Sequence, residues 1–259
     1  MTSLRHSLNL SRGGVISLVG AGGKTALMFR LARELTGQGD RVLTTTTTKI
    51  RVPLQRQSPV VMVSDSVESL LQQASVILQR SAHVTAGLRI VHFQNKLKGF
   101  DPNTIDRIWQ SGIFRWIIVE ADGAAGKPIK APAFHEPVIP QCTQWLVAVI
   151  GLEAVGKPLN EKWAFRPQLV SKITGLNQGA SISESAIAKL FVDTNGIMRG
   201  FSAQTKRFAF LNQADSPERL AAGQRIAKMI KSQKTVNFAG VLIGQTLCEP
   251  IVKQYYPAN

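Results

Sequence analysis

Short apolar runs recur along the chain, and between them apolar residues fall into helical spacing. VISLVG (Val15–Gly20) is too short for a helix and reads as a buried strand ending in glycine. Leu27, Leu31 and Leu35 then recur every four residues within Lys24–Thr36, one face of a helix that Gly37 and Gly39 terminate. RVLTTT (Arg41–Thr46) is β-branched and is the next expected strand. Strand, glycine turn, helix and strand make a βαβ unit, whose crossover is expected to be right-handed.

The alternation continues. PVVMV (Pro59–Val63) predicts a strand, and Asp65 with Glu68 predicts a capping box for a helix through Ser75. Ser81–Phe93 alternates weakly and is expected to form a hairpin. Asp101-Pro102 pairs an N-cap residue with proline at the first helical position, starting a helix that runs to about Gln110. RWIIVEA (Arg115–Ala121) and WLVAVI (Trp145–Ile150) predict buried strands. Residues 122–141 hold four prolines without periodicity, so a long functional loop is expected there. Pro158–Gln178 shows no single pattern; Ser181 and Glu184 predict a second capping box and a helix to Phe191. RFAFL (Arg207–Leu211) and FAGVLI (Phe238–Ile243) are the last expected strands, separated by a helix starting at Ser216-Pro217. Alternating strands and helices predict an α/β fold of three layers: a mostly parallel sheet flanked by helices, with residues 1–259 as one domain.

Composition narrows the setting. Of 259 residues, 44% are hydrophobic and 18% charged, enough apolar surface for a large core and too little charge for disorder. No apolar run approaches the roughly 18 residues of a membrane span. The first residues, MTSLRHSLNLSRGG, lack the apolar core of a signal peptide, so a cytoplasmic location is expected. Cys142 and Cys248 are too far apart to suggest a metal cluster or a disulfide framework. Thirty-one basic against sixteen acidic residues give +15 and a pI near 10.3, a balance that attracts polyanions. The basic residues are spread along the chain, with no Lys/Arg block and no aromatic-basic RNA-binding motif, so nucleic acid is not the expected partner.

The most specific chemistry lies between the first strand and helix. Gly20-Ala21-Gly22-Gly23-Lys24-Thr25 has the context of a phosphate-binding loop. Glycines let backbone amides turn toward phosphate oxygens, and the helix N-terminus adds partial positive charge. Lys24 supplies a point charge for the β- and γ-phosphates, and the Thr25 hydroxyl can ligate Mg²⁺. Leu18 stands six residues before Lys24 where the full motif has glycine, so the loop is a shortened form. The expected ligand is Mg-GTP or Mg-ATP.

Other residues gather around that loop in the expected topology. Glu120 and Asp122 flank the end of RWIIVEA; Asp122 is the candidate for the magnesium shell, Glu120 for orienting water, and the roles can exchange. Thr47 and Thr48 leave the second strand toward the phosphate end, where a hydroxyl such as that of Thr48 can reach Mg²⁺; equally, the run fills a strand and its exit with β-branched residues. Asn212-Gln213-Ala214-Asp215 follows RFAFL and looks like the guanine-reading Asn-Lys-x-Asp element with Gln213 in the lysine position; otherwise Asp215 caps the next helix. In the proline-rich loop, Lys127, Lys130 and His135 can bind an anionic second substrate, and His135 with Glu136 can transfer protons near neutral pH.

VGAGGKTALMFRLA, VLTTTTTKI, VEADGAAGKPIKAPAFHEPVIP and FLNQAD together resemble the YqeC family, described as accessory proteins of selenium-dependent hydroxylases, over about Gly13 to Ile243. The resemblance implies a P-loop NTPase of the GTPase-like branch that helps to mature molybdenum hydroxylases carrying a labile selenium-containing cofactor. Its expected partners are such a hydroxylase or its cofactor-synthesis enzymes. Two other readings stay open: a small-molecule kinase acting on an anionic metabolite or cofactor precursor, and a nucleotide-gated cofactor-delivery module with negligible turnover.

Overall fold

The computed structural model describes residues 3–200, 202–233 and 237–258. A short helix α1 (Leu4–Ser7) precedes the βαβ unit β1 (Gly14–Gly20), α2 (Lys24–Thr36) and β2 (Val42–Thr46). β3 (Lys49–Arg51), β4 (Val61–Val63), α3 (Val67–Ile77), β5 (His83–Gly87), β6 (Arg89–Val91) and β7 (Lys96–Lys98) follow. Next come α4 (Pro102–Gln110), β8 (Trp116–Glu120), β9 (Ile129–Lys130), β10 (Thr143–Gly151), β11 (Ala164–Phe165), α5 (Pro167–Thr174) and α6 (Glu184–Val192). β12 (Lys206–Asn212), α7 (Pro217–Ser232), β13 (Gly240–Gly244) and β14 (Val252–Pro257) complete the order.

Nine strands form one sheet in the order β14-β13-β12-β10-β1-β8-β2-β5-β4, and every pairing is parallel except β13 with β14. β1 lies near the centre, buried at all seven positions, as expected of a strand covered on both faces. Alternate side chains sort the core into two layers. Ile16, Leu18, Ile118 and Val147 pack with Leu27, Met28 and Leu31 of α2. Val15, Val19, Ile117 and Ala148 face the opposite way, in the same layer as side chains of α3, α4, α6 and α7. Helices therefore cover both faces of a mostly parallel sheet, the expected fold class. Among the described residues no helix is long and apolar enough to cross a membrane.

Several local expectations need correction. Ser81–Phe93 is not a hairpin: β5 pairs in parallel with β2 and β4, while β6 joins β3 and β7 in a separate three-stranded sheet. Weak alternation cannot reveal which partner a strand finds. The caps of α3 and α6 are Ser66 and Ser183, whose hydroxyls accept from Ser69 N and Ala186 N; Asp65 and Ser181 lie one and two residues before them. Serine in the cap position reaches the third helical amide with its short side chain. β14 was not expected; it closes one sheet edge by antiparallel return.

Candidate functional site

In a parallel sheet all carboxyl ends open on one side, and loops there gather residues distant in sequence. Gly20, Glu120 and Thr46 end the adjacent strands β1, β8 and β2, with Thr46 opposite Glu120 in register. Gly151 and Asn212 end β10 and β12, also in register. The phosphate-loop residues thus face the acidic strand end on one side and the Asn212 segment on the other.

The loop must be glycine-rich because its backbone is crowded and left-handed. Gly22 (φ 74°) and Gly23 (φ 117°) would each place a Cβ against a neighbour, the Gly151 backbone nitrogen and the Asn212 side-chain amide respectively. Gly23 is the N-cap of α2 and no side chain caps that helix. Among the described residues, five of the other six helices, α1, α3, α4, α6 and α7, are capped by Ser3, Ser66, Asp101, Ser183 and Ser216, and α5, like α2, has no side-chain cap. The first amides of α2 are therefore orphan donors at the positive end of a thirteen-residue helix.

Lys24 is 3% exposed, and its ammonium sits 2.5 Å from Gly20 O, 3.0 Å from Asp122 Oδ1 and 3.8 Å from Glu120 Oε1. Burial disfavours the charged lysine, but Asp122 and Glu120 outweigh it and hold the pKa above the ordinary value. Thr25 donates its hydroxyl to Glu120 Oε2 at 2.6 Å. Burial raises the Glu120 pKa, against the opposing pull of Lys24 and the Thr25 hydrogen bond. Asp122 Oδ2 accepts from Gly20 N at 2.9 Å and faces Lys130 at 3.0 Å. Its Oδ1 is buried and meets no aligned donor, although the Lys24 ammonium lies 3.0 Å away.

The loop amides are not all turned inward as the sequence suggests. Gly20 N donates to Asp122, Ala21 N to Val149 O (2.8 Å) and Gly22 N to Lys127 O (2.9 Å). Lys127 is half-buried, and its backbone forms a strap along the loop. In this conformation the amides left without an acceptor are those at the start of α2, and the Lys24 ammonium is held by Gly20 O, Asp122 and Glu120.

Asn212 braces the loop. Its Nδ2 donates to Gly22 O at 2.7 Å, and its Oδ1 accepts from Thr246 N at 3.0 Å. Thr246 was not anticipated, since it lies in a loop with no motif. Gln213 is left-handed (φ 64°) and donates to Glu153 at 2.9 Å. Asp215 is exposed and paired with Arg219 at 2.6 Å. The helix cap is Ser216, so Asp215 does not serve as one.

The proline-rich loop departs most from expectation. Lys130 is fully buried, with Glu136 Oε2 and Gly123 O each at 2.7 Å and Asp122 at 3.0 Å. Three acceptors saturate its ammonium, so Lys130 does not present a charge to a second substrate. Glu136 is buried and also takes Arg166 at 2.5 Å. Burial would raise its pKa, but Arg166 and Lys130 pull it down to about 2. Consecutive residues point apart: His135 is exposed while Glu136 faces inward, so the expected His135–Glu136 proton couple is not formed. Arg166 holds a left-handed backbone (φ 61°), which costs about 1 kcal/mol or more in a non-glycine residue. Its pairing with Glu136, like the bond from Arg199 Nε to Glu136 O at 2.7 Å, links segments far apart in sequence.

The threonine run is tied down. Thr44 meets His83 and Thr85, Thr45 donates to Ala86 O, Thr46 to Glu120 O at 2.6 Å and Thr47 to Val138 O at 2.7 Å. Thr48 lies 3.2 Å from the Thr46 hydroxyl. Among the described residues no group of three or more His, Cys, Asp or Glu could hold a metal ion by itself.

A glycine loop passing from a central parallel strand into an uncapped helix, with Lys and Thr at the helix start, has the architecture of phosphate-loop proteins. The family described as YqeC protein matches residues 16–168. The protein YqeC of Escherichia coli (strain K12) is 34% identical over 220 residues, which is 85% of this chain and 84% of that one. The chain belongs to the YqeC family. Among solved structures, chloroplast FtsY from Physcomitrella patens is similar with 14% identity and a TM-score of 0.32 over 95% of this chain, which spans 54% of that structure's length. At that level no property of the present chain follows from it.

Proposed function

We propose that this chain binds a magnesium nucleoside triphosphate at residues 20–25 and hydrolyses it while serving as an accessory factor for selenium-dependent molybdenum hydroxylases. The observation that carries the nucleotide reading is Lys24, buried between Glu120 and Asp122 at the uncapped start of α2. A polyphosphate would take over the Lys24 charge and the orphan amides of α2, releasing the carboxylates. Thr25 and Asp122, whose Oδ1 lacks an aligned donor, are suited to hold Mg²⁺, which would supply positive charge to the phosphate oxygens. Glu120 then accepts a proton from, or orients, an attacking water; its raised pKa suits that task. Thr48, whose hydroxyl lies 3.2 Å from that of Thr46, is a further candidate ligand.

Hydrolysis is favoured over transfer to a metabolite, because of the three loop residues expected to meet an anionic acceptor the Lys130 ammonium is consumed inside the protein, leaving half-buried Lys127 and exposed His135. The hydroxylase connection rests on the family resemblance, and a cytoplasmic site of action goes with it. Calorimetry with Mg-GTP and Mg-ATP tests the core of the proposal. Lys24→Ala is expected to abolish binding, and retained binding would remove the phosphate-loop assignment. Asp215→Asn is expected to erase any guanine preference; an unchanged preference reduces Asp215 to the partner of Arg219.

A further inference from the structure

The chain's sixteen acidic residues are unevenly placed. None falls in residues 41–64 or 69–100, although these two segments carry eight Lys or Arg. Both segments feed the small antiparallel sheet β3-β7-β6. Its inner face is apolar: Ile50 and Leu97 are buried in the α2 core layer and Ile90 packs against it. The opposite face is basic. Lys49, Lys98 and Arg89 stand directly across from one another on the three strands, and Arg51 stands across from Lys96. Adjacent strands lie about 4.8 Å apart, so these are close like-charge neighbours, an arrangement that destabilises a sheet. None of the five takes part in any ion pair of the described residues. At the turn between β6 and β7, Phe93 is 87% exposed.

Against the expectation drawn from basic residues spread along the sequence, we propose that the outer face of the β3-β7-β6 sheet is a docking surface for single-stranded nucleic acid, with Lys49, Arg51, Arg89, Lys96 and Lys98 on its phosphates and Phe93 stacked on a base. Cations spread across three paired strands suit a polymer rather than a small anion. Three of the five cations are lysines, a residue depleted in the cores of protein–protein interfaces but common on phosphate backbones. An exposed aromatic beside a cationic row is the combination that single-strand binders use. The surface is separate from the nucleotide site, though anchored beside it. Gly99 N donates to Thr48 O and Phe100 N to Thr46 O, and a Cβ on Gly99 would collide with the Thr46 carbonyl.

The test is fluorescence anisotropy of the full chain with a labelled single strand of about 20 nucleotides in mixed sequence, as RNA and as DNA. Each phosphate contact contributes roughly 0.7 to the slope of log affinity on log salt, so five give about −3.5; affinity should fall roughly 100-fold between about 50 and about 200 mM salt. Arg89→Gln with Lys98→Gln should weaken binding and reduce the slope by about 1.4. Phe93→Ala should cost roughly 5- to 150-fold at unchanged slope. Thermal melts check folding, and the double variant should melt no lower than the parent because cross-strand repulsion is relieved. Absence of binding at about 50 mM salt would overturn the proposal. So would an affinity indifferent to the double variant, which would trace binding to charges elsewhere on the +15 surface. Polyglutamate competing as well as the oligonucleotide, with Phe93→Ala silent, would assign the face to an acidic protein instead.

Discussion

Replacing Glu136 with glutamine removes one charge from a buried cluster while keeping the shape of the side chain. Glu136 holds Lys130 at 2.7 Å and Arg166 at 2.5 Å and is 7% exposed, so solvent screens these pairs little. Its pKa falls from 4.5 to about 2, because the two cations overcome the cost of burial. A depressed carboxyl pKa contributes stability that is complete above the unfolded value and is lost as pH falls toward the folded one. At about 1.4 kcal/mol per unit the shift corresponds to about 3 kcal/mol at neutral pH. By about pH 3 roughly 2 kcal/mol of that is gone, because the unfolded chain has taken up its proton and the folded one has not. Urea unfolding of both proteins at about pH 7 and about pH 3 measures the difference. The variant is expected to be less stable by about 3 kcal/mol at the higher pH and by about 1 kcal/mol at the lower. A gap that stays constant would show that the Glu136 charge does not hold the loop, and the cluster would lose its structural role.

Other outcomes follow from single contacts. The His83 pKa is lowered to about 4 by burial, so the neutral ring suits the fold; stability should be full above about pH 6.5 and fall on acidification toward pH 4. That acid loss should vanish in His83→Asn, and an unchanged pH profile would remove His83 as its cause. Asn212→Ala strips partners from Gly22 O and Thr246 N and is expected to cost about 1–3 kcal/mol in unfolding free energy, with weaker nucleotide binding in calorimetry. Unaltered affinity would show that the loop keeps its shape without this brace.

Local signals carried much of the architecture. The apolar runs and leucine spacing predict β1, α2 and β2 because both periodicities are properties of adjacent residues, and Gly22 and Gly23 announce a backbone that no side chain can adopt. The capping serines Ser66 and Ser183 lie one and two positions after the residues that the capping-box pattern selects, since several short polar residues compete at each helix start and only the fold selects among them. Alternation in Ser81–Phe93 predicts a hairpin that the fold does not form, because alternation specifies a strand's face but not its neighbour.

The chain's own order of residues determined the alternating elements, the phosphate loop and the acidic strand end, all encoded within a few positions of each other. Only the tertiary structure decided that Lys130 serves Glu136 and Asp122 rather than a ligand, that Arg166 completes their pairing, and that Asn212 and Thr246 brace Gly22. It also gathered five basic residues, scattered between positions 49 and 98, onto one face. The physical reason is that charge pairing and like-charge clustering act through space, and strand pairing sets those distances between residues that the sequence keeps tens of positions apart.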